Sequence, residues 1–213
     1  SIGAWVLRSA ICEAASWRRP TRIAINVAAA QFESWTLPGT LREVLHETGF
    51  PAHLVELEIT ESMIIEDVEM VQRQISELKS IGVKLAMDDY GTGYSALSTL
   101  LALPFDKIKF DKSFIQGLHD DPRILGVLKS TVELGRNLEI SVLVEGVEDD
   151  TQLQILKDIG CDEVQGYLVG RPVSGLEARR VFGLDLSDVA LWDRDLQADR
   201  SAQLREDIAS RRA

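Results

Sequence analysis

The sequence predicts an α/β fold of the TIM-like (β/α) barrel type, incomplete at its N-terminus. Short runs of apolar and β-branched residues alternate with helix-like stretches, which is typical of βαβ units around a parallel sheet. Six such units are too many for most small open sheets, and they favour a barrel. A TIM barrel has eight strands and about 250 residues, so this chain of 213 residues looks one or two strands short.

The predicted elements follow one another with short connections. A helix at 1–18 precedes the first strand. Strands are predicted at 21–28, 54–60, 84–88, 107–111, 139–145 and 163–167. The other helices are predicted at 38–49, 66–80, 95–103, 121–138 and 149–159. We assign residues 1–183 to this barrel domain and the charge-rich residues 184–213 to a C-terminal helical tail.

Composition argues against several classes of protein. The net charge is −11 at pH 7, which argues against binding DNA or RNA because such surfaces carry a basic stripe. No apolar run approaches the roughly 20 residues that span a bilayer, so we expect no membrane contact by this segment. The two cysteines, Cys12 and Cys161, indicate neither a disulfide framework nor a metal cluster, and they fit a cytoplasmic protein.

The third strand leads into two adjacent carboxylates, Asp88 and Asp89, and then into a loop with Gly91 and Gly93. Side chains alternate along a strand, so both acids reach one site only if the strand ends at Asp88 and the loop turns Asp89 round. Two neighbouring carboxylates stay ionised in one pocket when a cation neutralises them. Taken alone, the segment fits a divalent-metal site and a solvated Asp-Asp turn equally well.

Strand parity adds a second observation. Each predicted strand has an apolar face, expected to pack against helices, and a second face with a polar side chain near its carboxyl end. These polar side chains are Asn26, Glu58, Asp88, Lys109, Glu145 and Gln165. Barrel enzymes build their sites at the carboxyl ends of their strands. Such oxygen donors suit Mg²⁺ or Mn²⁺, and adding Asp89 supplies enough ligands for two ions, an arrangement that typically hydrolyses phosphate esters.

An ordered series of motifs resembles the EAL domain, a family that hydrolyses the bacterial second messenger cyclic di-GMP. The series runs from the start of the chain to about residue 175 in the family's order and spacing. Its segments are Ile25-Asn26-Val27 with Gln31-Phe32, Leu57-Glu58-Ile59-Thr60-Glu61-Ser62, Asp88-Asp89-Tyr90-Gly91-Thr92-Gly93-Tyr94-Ser95, Lys109-Phe110-Asp111-Lys112-Ser113-Phe114, Glu145-Gly146-Val147-Glu148 and Cys161-Asp162-Glu163-Val164-Gln165-Gly166-Tyr167.

The resemblance implies a role for each matching residue. Lys109 would hold the attacking water or the developing phosphate charge, and Glu145 would help to deprotonate that water or bind metal. The implied metal ligands are Asn26, Glu58, Asp88, Asp89 and Glu145. The residues implied to orient these groups or to form and tether the glycine loop are Glu61, Asp111, Glu148, Gly91 and Gly93. The implied substrate-binding residues are Gln165 and Gln31.

The resemblance implies metal-dependent hydrolysis of cyclic di-GMP to linear 5′-pGpG, with two Mg²⁺ or Mn²⁺ ions. It also implies a homodimer with sensory or GGDEF-type domains upstream. Two alternatives stay open, a catalytically inactive cyclic di-GMP receptor and an unrelated metal-dependent barrel enzyme. In the family, the Glu-Ala-Leu motif lies on a strand that would precede the first residue of this chain. We therefore expect the 213 residues alone to have little or no activity, because one metal-binding carboxylate is absent.

Overall fold

The computed structural model describes residues 2–33, 35–66, 68–91, 96–118 and 121–183. The chain divides into two compact units, of which the first comprises residues 1–15 and 20–172 and the second residues 16–19 and 173–213. In the second unit, helix α10 (Gly175–Gly183) is preceded by Ser174, whose backbone N–H donates to Glu177 Oε2 at 2.9 Å. The predicted tail at 184–213 lies outside the described residues, so it stays a prediction.

Six parallel strands form the sheet of the first unit, and each strand pairs with its neighbour in sequence. The strands are β1 (Ile23–Asn26), β2 (Val55–Thr60), β3 (Lys84–Tyr90), β4 (Lys107–Phe110), β5 (Ser141–Val144) and β6 (Glu163–Val164). The helices around them are α1 (Ile2–Ala15), α2 (Ala29–Glu33), α3 (Leu37–Thr48), α4 (Glu61–Glu66), α5 (Val68–Ile81), α6 (Ala96–Ala102), α7 (Lys112–Gln116), α8 (Pro122–Leu138) and α9 (Asp150–Ile159), with a 3₁₀ turn at Ala52–Leu54. This consecutive parallel order confirms the predicted fold, an incomplete (β/α) barrel.

Ion pairs across the interior show how strongly the sheet curves. Lys107 Nζ on β4 lies 2.8 Å from Glu56 Oε1 on β2 and 2.8 Å from Glu163 Oε2 on β6. Arg22, which directly precedes β1, has its Nη1 3.8 Å from Glu163 Oε1. In a flat sheet, β1 and β6 would lie about 24 Å apart, since neighbouring strands are about 4.8 Å apart. The six strands therefore curl round and enclose one face of the sheet.

The opposite face of the sheet packs against the helices and forms the core. Its fully buried side chains include Leu57, Ile59, Leu85, Met87, Ile108, Phe110, Val142 and Val144. The helices contribute apolar residues at helical spacing, such as Leu7 and Ile11 of α1 and Leu128 and Val132 of α8, as expected for amphipathic helices. Each such side chain contributes about 1.5–3 kcal/mol when fully buried. No helix in the described part of the chain is long and apolar enough to cross a membrane.

Several element boundaries differ from the sequence prediction for local reasons. Helix α1 ends at Ala15, before the predicted residue 18. Strand β5 begins at Ser141, because Glu139 takes a left-handed conformation (φ 58°) and ends helix α8. Strand β6 ends at Val164, because the chain turns at Gly166, whose carbonyl accepts hydrogen bonds from two later backbone N–H groups. The predicted helix at 66–80 corresponds to α5, and helices α2, α4, α7 and α10 were not predicted.

Candidate functional site

The buried lysine Lys109, on β4, forms the centre of the candidate site. Its Nζ lies 2.8 Å from Glu58 Oε1 on β2, 3.1 Å from Asp88 Oδ1 on β3 and 2.8 Å from Glu145 Oε1 directly after β5. Only 4% of the Lys109 side chain is exposed, whereas the exposure of the carboxylates rises from 8% at Glu58 to 25% at Glu145. The cluster therefore has a closed inner end and an outer end open to solvent.

The second aspartate approaches the same cluster through a β-bulge. Met87 pairs with Ile108 while Tyr90 pairs with Phe110, so β3 carries one extra residue over this interval. Asp89 lies in that interval and takes a left-handed conformation with φ 56°, which aspartate tolerates better than most residues. The prediction that the strand ends at Asp88 is wrong. The strand continues to Tyr90. Asp89 is turned towards the cluster by the bulge within the strand and not by the loop that follows it.

Electrostatic effects show that Asp89 shares the environment of the cluster. Burial raises the pKa of Asp89 above its ordinary value, and the negative charges of Asp88, Asp111 and Glu145 raise it further, while Lys109 lowers it. We use "Lys109 cluster" for Lys109, Glu58, Asp88, Asp89 and Glu145. Because it holds four carboxylates and one ammonium group, the cluster has a surplus of three negative charges when all five groups are ionised.

The lysine is held in its charged form. Burial alone would lower the pKa of Lys109, but its hydrogen bonds to Glu145 and Glu58 raise that pKa well above its ordinary value. Burial in turn raises the pKa of Glu58, although the hydrogen bond from Lys109 works in the opposite direction. Lys109 therefore acts as a fixed positive charge at neutral pH and is poorly suited to accept or release a proton.

Asn26 lies at the carboxyl end of β1, beside the cluster. It pairs in register with Glu58 of β2. Its side chain is exposed, whereas that of the preceding residue, Ile25, is buried on the opposite face. Strand alternation thus puts an amide on the enclosed face next to a carboxylate of the cluster.

Asp111 and Glu61 lie at the starts of helices that follow site strands. Asp111 Oδ1 accepts a hydrogen bond from the Ser113 backbone N–H at 2.9 Å and caps α7, and the hydrogen bonds from Ser113 lower the pKa of Asp111. Glu61 begins α4 and is almost completely buried. Burial raises the pKa of Tyr90, and the nearby charge of Glu61 adds to the effect. The negative charge of Asp111 therefore raises the pKa of Asp89. Glu61 lies near Tyr90, the last residue of β3.

The glycine-rich loop begins on an aromatic stack. Gly91 has φ 89°, and a Cβ added there would lie 2.7 Å from Phe114 Cζ. The Phe114 ring in turn packs edge-on against Phe110 with ring centroids 5.0 Å apart. Glycine is thus required at position 91 by both backbone conformation and space. Gly93 lies outside the described residues, so its predicted role and the predicted tether from Glu61 stay predictions.

Three predicted residues make local backbone contacts. Gln31 Oε1 accepts from the Ala28 N–H at 3.0 Å, at the turn between β1 and α2. Glu148 is exposed, and its backbone N–H donates to Gln152 Oε1 at 2.8 Å. Gln165 is exposed and continues the pairing of β6 with β5, since its N–H donates to the Val144 carbonyl at 2.9 Å. Their roles in substrate binding or orientation stay predictions.

A second layer of ion pairs lies below the cluster and was not predicted from the sequence. We call Arg22, Glu56, Lys107 and Glu163 the lower ion layer. Three of its members precede Glu58, Lys109 and Gln165 by two residues along the chain. Strand parity contained this signal, but the prediction considered only the carboxyl ends. With two carboxylates and two cations, the lower ion layer is electrically balanced, in contrast to the Lys109 cluster.

The chemistry of the donors in the Lys109 cluster fits a hard divalent cation. Carboxylate and amide oxygens with a surplus of negative charge are the ligands that Mg²⁺ and Mn²⁺ prefer. Within the described ranges, no group of three or more His, Cys, Asp or Glu side chains is already arranged to hold a metal ion. The carboxylates of Glu58, Asp88 and Glu145 instead converge on the Lys109 ammonium group.

Polar groups gathered at the carboxyl ends of parallel strands define a barrel-type site. Within that class, the chain belongs to the EAL domain family, whose family model matches residues 1–172. An uncharacterized signaling protein of Caulobacter vibrioides is 46% identical over 172 residues, which are 81% of this chain and 21% of that protein. The chain spans about a fifth of the length of the curated relatives that it matches.

Two solved structures have closely similar folds. One is the PaMucR phosphodiesterase in complex with c-di-GMP, with 34% identity and a TM-score of 0.79 over 83% of this chain and 73% of that chain. The other is the EAL domain of Mycobacterium smegmatis DcpA, with 34% identity and a TM-score of 0.80 over 85% of this chain and 84% of that chain. Both agree with an incomplete barrel of the EAL type.

Proposed function

We propose that the protein hydrolyses cyclic di-GMP to linear 5′-pGpG in a reaction that depends on Mg²⁺ or Mn²⁺. The observation that carries this proposal is the surplus of negative charge in the Lys109 cluster, directly above a layer of similar residues that is balanced. Buried charges without compensation cost several kcal/mol each. A surplus that is kept at the open end of the barrel suits a site that binds cations.

The chain's own residues divide the chemistry between them. Asn26, Glu58, Asp88 and Asp89 would hold the metal ions, and Glu145, the most exposed carboxylate that contacts Lys109, would take a proton from the attacking water. Lys109 would stabilise the charge that develops on the phosphate, because it remains protonated. The water oxygen would form a bond to phosphorus as one P–O ester bond breaks. The leaving oxygen would take a proton from solvent, and Glu145 would return to solvent the proton that it had removed. Bound divalent ions would draw negative charge from the phosphate oxygens and make water easier to deprotonate.

The wider setting follows from the same proposal. The solved PaMucR structure is a phosphodiesterase in complex with c-di-GMP, which supports this dinucleotide as the substrate. We propose two metal ions per site, a homodimer, upstream sensory or GGDEF-type domains and a cytoplasmic location. Gln165 and Gln31 would contact the substrate at the edge of the site, and Glu148 would help to orient the groups that follow β5.

A hydrolysis assay on the purified native gene product tests the proposal. We expect conversion of cyclic di-GMP to pGpG with Mg²⁺ or Mn²⁺ and none after chelation. Asp89→Asn should lower kcat/KM by about 100-fold or more, the effect of removing one stabilising group. Asp158→Asn, which removes an exposed carboxylate from α9, is the matched control and should be unchanged. Binding of the dinucleotide without turnover would contradict the proposal and favour a catalytically inactive receptor.

A further inference from the structure

The last strand of the sheet is held across the barrel interior by one side chain. Strand β6 has two residues and, among the described residues, pairs with β5 alone. Glu163 of β6 reaches across to Lys107 on β4, with Oε2 and Nζ 2.8 Å apart, and to Arg22 before β1, with Oε1 and Nη1 3.8 Å apart. This carboxylate therefore links β6, the last strand of the described sheet, to two parts of the sheet that are not its neighbours.

Stability alone gives a weak explanation of this arrangement. Lys107 and Glu56 are almost completely buried, with 5% and 4% of their side chains exposed. Taking such ions out of water is costly, and apolar residues of similar volume often stabilise a protein equally well or better. What an ion pair adds is direction, since a charge-assisted hydrogen bond fixes both the distance and the orientation of its partners. The lower ion layer is thus better suited to setting the geometry of the strands than to adding stability.

A predicted substrate-binding residue, Gln165, directly follows the strand that Glu163 holds. Gln165 lies two residues after Glu163 and has the same parity, which corresponds to a step of about 6.6 Å along a strand. Lys107 and Lys109 are related in the same way on β4. The contact between Glu163 and Lys107 therefore links β6 to β4 across β5, one layer below Gln165 and Lys109.

We propose that Glu163, held by Lys107, is a positioning residue that fixes Gln165 relative to the Lys109 cluster and thereby sets the affinity for the dinucleotide substrate. The part of this inference that concerns affinity rests on the proposed function. The part that concerns the position of β6 does not depend on it.

The first experiment measures hydrogen exchange in the native gene product and needs no ligand. Glu163→Ala should speed the exchange of the Gln165 backbone N–H by about tenfold through local opening. This N–H donates a hydrogen bond to the Val144 carbonyl. The variant leaves Lys107 paired with Glu56, so folding should be preserved. Glu77→Ala is the matched control, because it removes a carboxylate of similar exposure, 39% against 36%, from an ion pair with Arg42 on the outer surface. Unchanged exchange at Gln165 would overturn the inference.

The second experiment separates substrate binding from turnover. Glu163→Ala should raise KM for cyclic di-GMP by about tenfold, the scale expected for a small misplacement, with kcat within about twofold. Glu163→Gln keeps an oxygen that can accept from Lys107, so it should restore much of the affinity. In a Gln165→Ala background, Glu163→Ala should have little further effect, because the two residues act as a unit.

Each result of the second experiment is decisive. Additive effects of Glu163→Ala and Gln165→Ala, or a fall in kcat with unchanged KM, would overturn the claim about affinity. A wild-type protein that does not hydrolyse cyclic di-GMP would contradict the proposed function, and the exchange experiment would then decide the position of β6 by itself.

Discussion

At the scale of single residues, Asp89 and Gly91 are the positions where backbone conformation determines the chemistry of the site. Both have positive φ angles, 56° and 89°. At Asp89 this conformation turns a second carboxylate towards the groups around Lys109, at the cost of placing like charges together. At Gly91 it lets the chain pass over the Phe114 ring as it leaves β3. The two residues together set how the loop begins and how many acids the site contains.

Gly91→Ala should lower the free energy of unfolding by about 1–3 kcal/mol. A Cβ in the left-handed region is strained by about 1–2 kcal/mol, and the Phe114 ring would also have to move. Chemical denaturation measures the change. Gly126→Ala is the control, because Gly126 lies inside α8 with nothing within 4 Å of an added Cβ. Gly126→Ala should stabilise the protein by about 0.5–1 kcal/mol. Equal changes in the free energy of unfolding for the two variants would contradict the close contact between position 91 and the Phe114 ring.

At the scale of elements, Asp106 joins one helix and two strands. It directly precedes β4, and its carboxylate accepts hydrogen bonds from Lys79 of α5 and Lys84 of β3, both at 2.7 Å, and from the Leu85 backbone N–H at 2.9 Å. Burial alone would raise the pKa of Asp106, but these hydrogen bonds lower it below its ordinary value. A carboxyl group whose pKa is lower in the folded than in the unfolded state stabilises the fold at neutral pH.

Asp106→Asn should therefore lower the free energy of unfolding by about 1–3 kcal/mol at pH 7, the scale for hydrogen bonds to charged groups. The stabilisation by Asp106 is fully present above the ordinary pKa of 3.8 and is lost as the pH falls through the lower folded value. The difference between wild type and variant should thus shrink in acid. Denaturation at several pH values checks this, with Asp158→Asn as the exposed control. A difference that does not change with pH would contradict the assigned role.

The same scale shows what the sequence could and could not predict. The order of the strands was predictable from the succession of strand-like and helix-like segments. Their two faces were predictable because the alternation of side chains along β2 and β4 is a local property of the sequence. The bulge at Asp89 was not, because it depends on the register of β3 against β4. The short helices α2 and α7, of five residues each, offer too few residues for a periodic pattern. The partners of Lys107 depend on the curvature of the whole sheet, which no local pattern contains.

At the scale of the whole molecule, the barrel interior holds two charged layers with different balances. The lower ion layer pairs two carboxylates with two cations, whereas the Lys109 cluster sets four carboxylates against one lysine. Both layers take residues from β2 and β4 and face the same interior. The surplus of negative charge lies in the layer at the open, carboxyl end of the strands, where barrel proteins place their functional groups.

The central claim, that the surplus carboxylates bind divalent cations, is tested most directly by calorimetric titration of Mn²⁺ into the metal-free native gene product. We predict two ions per chain for the wild type and the loss of one in Asp89→Asn. Glu56→Gln changes a carboxylate of the balanced layer and should bind as the wild type does. At 100 times its dissociation constant, each ion should stabilise the fold by about 2.7 kcal/mol. A wild-type protein that binds no divalent ion, or an Asp89→Asn variant that binds as many as the wild type, would contradict the account.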